Sequence, residues 1–330
     1  MREFSYRSAD SVDTAVALIA EHDGSARFLA GGTNLVDLMK LDVARPTLLI
    51  DVTDLPLDRI AATDDGGIRI GATARNSDVA AHPLVRERFP AVAQAIVAGA
   101  SGQLRNQATV GGNLLQRTRC VYFTDATKPC NKRTPGTGCP AREGEHHNLA
   151  ILGASEQCVA TNPSDFAVPL AAFDAVVHAR DSRGDHEIPL ADFYRSPGDE
   201  PDRDANLPVG ALITAVQLPP SPLAAGSVYR KVRERASYAF AIGSIAAAVD
   251  VRDDVVRDVR IALGAVAPMP WRAHAAERAL VGRHATAETF RAAADAELAD
   301  ARPLRDNAYK IPLIRNLIVR TLTELSEATT

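Results

Sequence analysis

Four cysteines, Cys120, Cys130, Cys139 and Cys158, follow the spacing C-x9-C-x8-C-x18-C and are the only cysteines in 330 residues. The first three fall in "RCVYFTDATKPCNKRTPGTGC", among the turn formers Pro129, Pro135, Gly136, Gly138 and Pro140. Buried structural cysteines belong to apolar strands and helices rather than to such a stretch. Disulfides need an oxidising compartment, and nothing in the chain announces one. Metal ligation is the better account, because four thiolates satisfy either a tetrahedral zinc or a four-iron cluster. Structural zinc sites use C-x2-4-C knuckles, which are missing here, and long uneven spacings suit the wider corners of a cluster. Between Arg105 and Arg142 stand seven basic residues (Arg105, Arg117, Arg119, Lys128, Lys132, Arg133, Arg142) against one acid, Asp125. A basic surround stabilises an anionic cluster and raises its potential; a solvated loop or a subunit contact would account for the same charges. His146 and His147 are further candidate zinc ligands, although paired loop histidines are more often simply exposed.

A second chemistry is suggested by glycines. In "FLAGGTNL", Gly31 and Gly32 end a strand and precede a helical turn, with Thr33 and Asn34 as extra donors. Such loops bring backbone N–H groups against a phosphate, and a tight strand-to-helix turn needs glycine as well. The G-x-G-x-x-G fingerprint of a nucleotide-binding βαβ unit is absent. "NQATVGGNLLQ" is a loop of the same type, with Gly111, Gly112 and Asn113. Two such loops suggest a ligand with two phosphates. In "NPSDFAVPL", Asp165 is placed to accept from a sugar or ribityl hydroxyl, or to favour a helix N-terminus.

The elements that must position these residues read as α/β, then α+β, then a sheet with a helical layer. Residues 10–22 form a helix capped by Asp10 or Ser11, and strands are predicted over 26–32 and 46–52, with a helical turn at 34–40. From residue 58 a second unit follows, with a strand at 66–72, a short helix at 76–82 and one longer helix over 83–100. After the cysteines come strands at 158–162 and 174–180 around a helix at 163–173. Six prolines between residues 195 and 225 mark a boundary around one strand at 211–219. Strands over 226–238, 241–251 and 255–266 precede three helices, the last striped by Ile311, Leu313, Ile314, Leu317, Ile318 and Leu322. The apolar fraction of 46% and charged fraction of 24% are those of a globular protein. A net charge of −4 gives no reason to expect nucleic-acid binding. No apolar run reaches eighteen residues, so no membrane span is expected. "MREFSYRSAD" shows neither a signal-peptide core nor a twin arginine, so no export address of the chain's own is expected.

Together, "AGGTNLVDLMK", "ASGQLRNQATVGGNLLQRTRC", "PCNKR", "ATNPSD", "YRKVRERASYAFA" and "GAVAPMPWRA" resemble the FAD-binding medium subunit of the molybdenum hydroxylases. This is the xanthine dehydrogenase and aldehyde oxidoreductase family. The resemblance runs from about residue 27 to 272, with the motifs in order. It is strongest to the flavoprotein subunits of bacterial periplasmic aldehyde oxidoreductases, which carry an extra [4Fe-4S] cluster. It implies an α+β chain. A PCMH-type FAD domain would have two subdomains, 1–57 and 58–222, the latter holding an iron–sulfur insertion at about 117–160. A C-terminal domain of the carbon-monoxide dehydrogenase flavoprotein type would occupy 223–330.

The resemblance further implies a heterotrimer, with a small [2Fe-2S] subunit and a large molybdenum-cofactor subunit. The substrate would be oxidised at molybdenum, and electrons would pass through iron–sulfur centres to FAD here and on to an external acceptor. On this sequence, the stretch Arg27, Phe28, Leu29, Ala30, Gly31, Gly32, Thr33, Asn34 and Leu35 would wrap the FAD pyrophosphate. Thr109, Gly112 and Asn113 would contribute from the second loop, Asp165 on the ribityl side, and Ile213 and Lys231 near the isoalloxazine. A cation at the pyrimidine end of a flavin stabilises its anionic reduced form. Tyr238 and Trp271 are candidates to pack beside the ring. Cys120, Cys130, Cys139 and Cys158 would ligate the cluster. No acid–base pair or nucleophile stands out, as expected if the organic chemistry occurs on another chain. Two other readings are a stand-alone flavin oxidase, for which the flavin loops lack a histidine or cysteine, and a zinc-stapled assembly protein without enzymatic activity. The compartment would be cytoplasmic, or periplasmic by co-export with a twin-arginine-bearing partner.

Overall fold

The computed structural model describes residues 1–22 and 24–329. Three sheets succeed one another along the chain. The first is parallel, with β1 (Ser5–Ser8), β2 (Ala26–Leu29) and β3 (Leu48–Asp51) in the order β1-β3-β2. Parallel neighbours need crossovers, supplied here by the helices Val12–Ala20 and Leu35–Lys40. Ser11 caps the first of these, its Oγ accepting from the Thr14 N–H at 3.1 Å. Ala15, Val16 and Ile50 form its small core, together with Leu212 from further along the chain.

The second sheet is antiparallel and holds β4 (Ile60–Ala62), β5 (Ile68–Gly71), β6 (Val176–Asp181), β7 (Gly184–Pro189) and β8 (Leu212–Leu218) in the order β4-β5-β8-β6-β7. Between β5 and β6 the chain leaves the sheet for a run of short helices and the cysteine segment. Ile68, Ile70, Val177 and Val216 pack there against Phe89, Phe166 and Phe173.

The third sheet, β9 (Val228–Val232), β10 (Gly243–Arg252), β11 (Val255–Gly264) and β12 (Trp271–Arg272), runs antiparallel in the order β12-β11-β10-β9. Its centre is buried on both faces. Ala246, Ala248 and Ala262 pack toward the second sheet's core. Ile245, Ala247, Ile261 and Leu263 face a core built with the helices His274–Leu280, Ala287–Leu298 and Lys310–Thr329. This alternation is the period-2 pleat, and the alanines let the two layers approach.

Three predicted elements differ. The single helix over 83–100 is two, Pro83–Arg88 and Pro90–Ala98, interrupted at Phe89 (φ −138°, ψ 60°). A residue before proline is driven out of the helical region, and the break turns Phe89 into the core. Residues 158–162 form no strand. Their carbonyls and N–H groups pair with loops instead, Ala150 N–H to Val159 O and Asn162 N–H to Ala267 O. The strand over 226–238 stops at Val232, and residues 233–242 form a loop before β10.

Polar contacts fasten the chain between Cys139 and Cys158 to the start of the last helix. Asn307 Nδ2 donates to Leu149 O and Ala150 O (3.2 and 3.3 Å). Lys310 Nζ donates to Asn148 O, Leu149 O and Ala265 O (2.9, 3.0 and 2.7 Å). Both side chains are fully buried. Burial pushes the Lys310 ammonium down from its ordinary 10.5 to about 7. The folded value lies below the unfolded one, so the unfolded chain binds more protons between those pH values. Stability from this site is therefore lowest below about pH 7 and rises with pH up to the free-lysine value of 10.5. Lys310→Met strips three carbonyls of their donor and is expected to destabilise by about 1–3 kcal/mol at pH 7. Thermal melts of both forms from pH 6.5 to 9 check this: the rise with pH should belong to the wild type and vanish in the variant.

Candidate functional site

A cavity of about 640 Å³ opens where the three units meet. The turn after β2 reaches it first. Gly31 lies so close to the Gly102–Gln107 helix that a Cβ there would stand 2.0 Å from Gln107 O. Gly32 takes φ +69°, the left-handed region that favours glycine. The chain then delivers Thr33 and Asn34 to the cavity wall. Asn34 Oδ1 accepts from the Arg117 N–H at 2.9 Å, while its Nδ2 finds no partner among the described residues although it is buried.

The second glycine loop is pinned to β5's end by Val110 N–H to Ala74 O and Gly111 N–H to Ala72 O (3.1 and 2.9 Å). Thr109 caps the Val110–Leu114 helix through Gly112 N–H. Gly112 and Asn113 line the cavity, and Asn113 Oδ1 accepts from Gln116 and Ser164 (2.7 and 2.8 Å).

Across the cavity, Asp165 forms a buried ion pair with Lys231 of β9 (2.7 Å), and Tyr229 donates to its other oxygen at 2.5 Å. Burial and the neighbouring carboxylate push the Tyr229 phenol far above its ordinary value, so it stays a donor. Lys231 and Arg233 also donate to Ala98 O (3.2 and 3.1 Å). Asp165 and Lys231 thus face the cavity as one preorganised pair.

Of the residues singled out in the sequence, Thr33, Asn34, Gly112, Asn113, Asp165 and Lys231 line this cavity, as does Tyr238. Arg27, Phe28 and Leu29 end β2, Ala30, Gly31 and Gly32 form the turn after it and Leu35 opens the next helix, none of them lining the cavity, and Thr109 sits beneath it as a cap. Ile213 is buried in the core behind Gly111. Trp271 is a packing residue: its indole donates to Glu297 Oε1 at 2.7 Å and its ring lies against Gly153. Asn76 and Arg119 were not anticipated as wall residues. Asn76 Oδ1 and Arg119 Nε are buried without a partner among the described residues, and the Arg119 guanidinium stacks 5.0 Å from the Phe240 ring. Unpartnered buried groups of both donor and acceptor type fit a polar ligand bound here.

Beside this cavity the four cysteines line a second, much smaller one, and Cys120 belongs to both walls. All four are free thiols. Burial pushes the Cys120 thiol up to about 11. It also raises Cys139 and Cys158, the Lys132 cation opposing it at Cys158. No set of three His, Cys, Asp or Glu side chains among the described residues is arranged to hold a single metal ion. His146 is occupied elsewhere: Nδ1 contacts Ala141 O at 3.0 Å, and Nε2 accepts from the Asp306 N–H at 3.0 Å. His147 stacks on Tyr309.

Comparison with known proteins sharpens this picture. Residues 2–221 match the family model described as the FAD binding domain in molybdopterin dehydrogenase, and residues 227–325 match the CO dehydrogenase flavoprotein C-terminal domain. The chain is 48% identical to the aldehyde oxidoreductase FAD-binding subunit PaoB of Escherichia coli K12, covering 98% of each. It is 26% identical to the carbon monoxide dehydrogenase medium chain of Hydrogenophaga pseudoflava, covering 97% of this chain and 96% of that one. A solved structure of carbon monoxide dehydrogenase from the same organism superposes with a TM-score of 0.75 at 27% identity, covering 97% and 96%. Quinoline 2-oxidoreductase from Pseudomonas putida 86 shares the fold with a TM-score of 0.76 at 20% identity, over 99% and 98% of the chains.

Two substitutions test the site's construction. Gly31→Ala forces the first loop off the Gly102–Gln107 helix. It should cost about 1–3 kcal/mol and strip most of the bound flavin, read as flavin per chain and a urea midpoint. Asp165→Ala leaves the Lys231 ammonium buried without its partner and should cost about 3–5 kcal/mol. The double change with Lys231→Met should recover part of that loss in the same denaturation assay.

Proposed function

The chain belongs to the family of FAD-binding domains of molybdopterin dehydrogenases, and from that premise we propose that it is the electron-transferring flavoprotein of an aldehyde-oxidising molybdenum enzyme, holding one FAD and one [4Fe-4S] cluster. FAD is held in the 640 Å³ cavity. When bound there, it supplies the redox chemistry that no side chain of this chain can. The two glycine loops approach the pyrophosphate, with Asn34, Asn76 and Asn113 as polar contacts. The paired Asp165 and Lys231 orient the rest of the cofactor.

Cys120, Cys130, Cys139 and Cys158 hold the cluster. The donor set supports this: four thiols line one cavity, three of them buried and Cys139 half-buried, and burial raises Cys120, Cys139 and Cys158, which stay protonated unless a metal takes the proton's place. One observation carries the two-cofactor reading: Cys120 is a wall of both cavities, so a cluster ligand would also face the flavin. Electrons arrive from iron–sulfur centres of a small subunit, after oxidation of an aldehyde on a large molybdenum subunit, and leave the flavin for an external acceptor. The chain works in the cytoplasm, or in the periplasm after export with a signal-bearing partner.

A visible spectrum of the purified protein, with iron, zinc and released FAD quantified on the same sample, tests this. One FAD and about four irons per chain are expected. Flavin without iron would end the cluster assignment, and zinc in place of iron would turn the cysteines into a structural staple. A folded, colourless protein that cannot be reconstituted with FAD would end the flavoprotein reading.

A further inference from the structure

Among the residues lining the four-cysteine cavity, Lys132 is the one basic or acidic side chain; the others are cysteines and neutral groups such as Thr118, Asn131 and Gln157. It is 6% exposed and lies two residues after Cys130. A buried ammonium costs free energy unless something nearby answers its charge. Part of the answer comes from the proline-rich loop before β8. Lys132 Nζ donates to Pro201 O at 2.9 Å and pairs with Asp204 Oδ1. That carboxylate is shared, because Arg117 pairs with its Oδ2 and donates to Asp202 O at 3.3 Å. Two cations against one anion leave a net positive charge beside the thiols. Four thiolates around an iron–sulfur cube carry the opposite charge.

Resting on the cluster reading above, we infer that Lys132, held at the cavity wall by Pro201 O, is a charge-compensating residue that sets the cluster's reduction potential, and that Asp204 is the counter-anion that partly offsets it. Reduction adds an electron to an already anionic group, so a fixed cation beside it favours the reduced state. The two partners must therefore act in opposite directions. Removing the Lys132 cation lowers the potential. Removing the Asp204 anion leaves more positive charge and raises it.

The experiment is a redox titration followed by electron paramagnetic resonance. It uses the flavoprotein purified with its partner subunits, with iron quantified in each sample. Lys132→Met is expected to shift the midpoint of this chain's cluster to more negative values, Asp204→Asn to more positive ones, and Lys132→Arg to keep it near the wild type. A merely structural role moves the iron content of both variants but not their midpoints in opposite directions. Unchanged midpoints with full iron, or shifts of the same sign, overturn the inference. Should Lys132→Met fail to retain iron, Asp204→Asn alone decides by the sign of its shift. An iron-free wild type ends the cluster reading itself, before any variant is compared.

Discussion

The buried pair between Asp165 and Lys231 is the constraint on which the rest of the architecture depends. Asp165 begins the helical return to the second sheet, and Lys231 stands on β9, the edge strand of the third. Their contact fixes two units against each other at the cavity wall. Neither charge is tolerable there alone, and Tyr229 occupies the carboxylate's remaining oxygen. A cavity built around a satisfied ion pair stays open before any ligand arrives, because collapsing it would gain little and would disturb three hydrogen-bonded groups at once.

The first glycine loop solves a complementary problem. Gly31 allows one unit's backbone to touch the carbonyl end of the other unit's Gly102–Gln107 helix. Any side chain there would hold the parallel sheet away from the antiparallel one. The polar atoms left over, Asn34 Nδ2 and Asn76 Oδ1, belong to residues of the cavity wall and have no partner among the described residues. Close backbone approach and unpartnered amides are two faces of a single arrangement, in which the protein supplies half of a hydrogen-bond network.

Much of this was legible in the residues. The glycine loops, the cysteine spacing and Asp165 stood out as turn residues, clustered thiols and a loop acid, while Lys231 was reached only through the family resemblance. The order of elements was also readable from periodicity. What escaped notice depends on meeting in space. Asn76 sits in a short helix of ordinary appearance, and Tyr229 in an ordinary strand. Arg119 and Lys132 were counted as part of a basic stretch, yet only folding tells apart the one that stacks on Phe240 from the one paired with Asp204. The strand expected at 158–162 failed for a similar reason. Its apolar run is genuine, but it packs Cys158, Val159 and Ala160 beside the other cysteines rather than into a sheet. Trp271, tempting as a ring neighbour, is engaged by Glu297 within the C-terminal core.

The fastening of residues 148–150 by Asn307 and Lys310 sets an order of events during synthesis. Lys310 lies 161 residues after Leu149. A ribosome finishes the cysteine segment long before the side chains that clasp residues 148–150 have emerged. Over that interval residues 148–150, which lie between Cys139 and Cys158, lack the donors that later hold their carbonyls. Once the last helix docks, the clasp closes. The stretch between Cys139 and Cys158 thereby reaches its final conformation only after the end of the chain has been made, with translation itself as the clock.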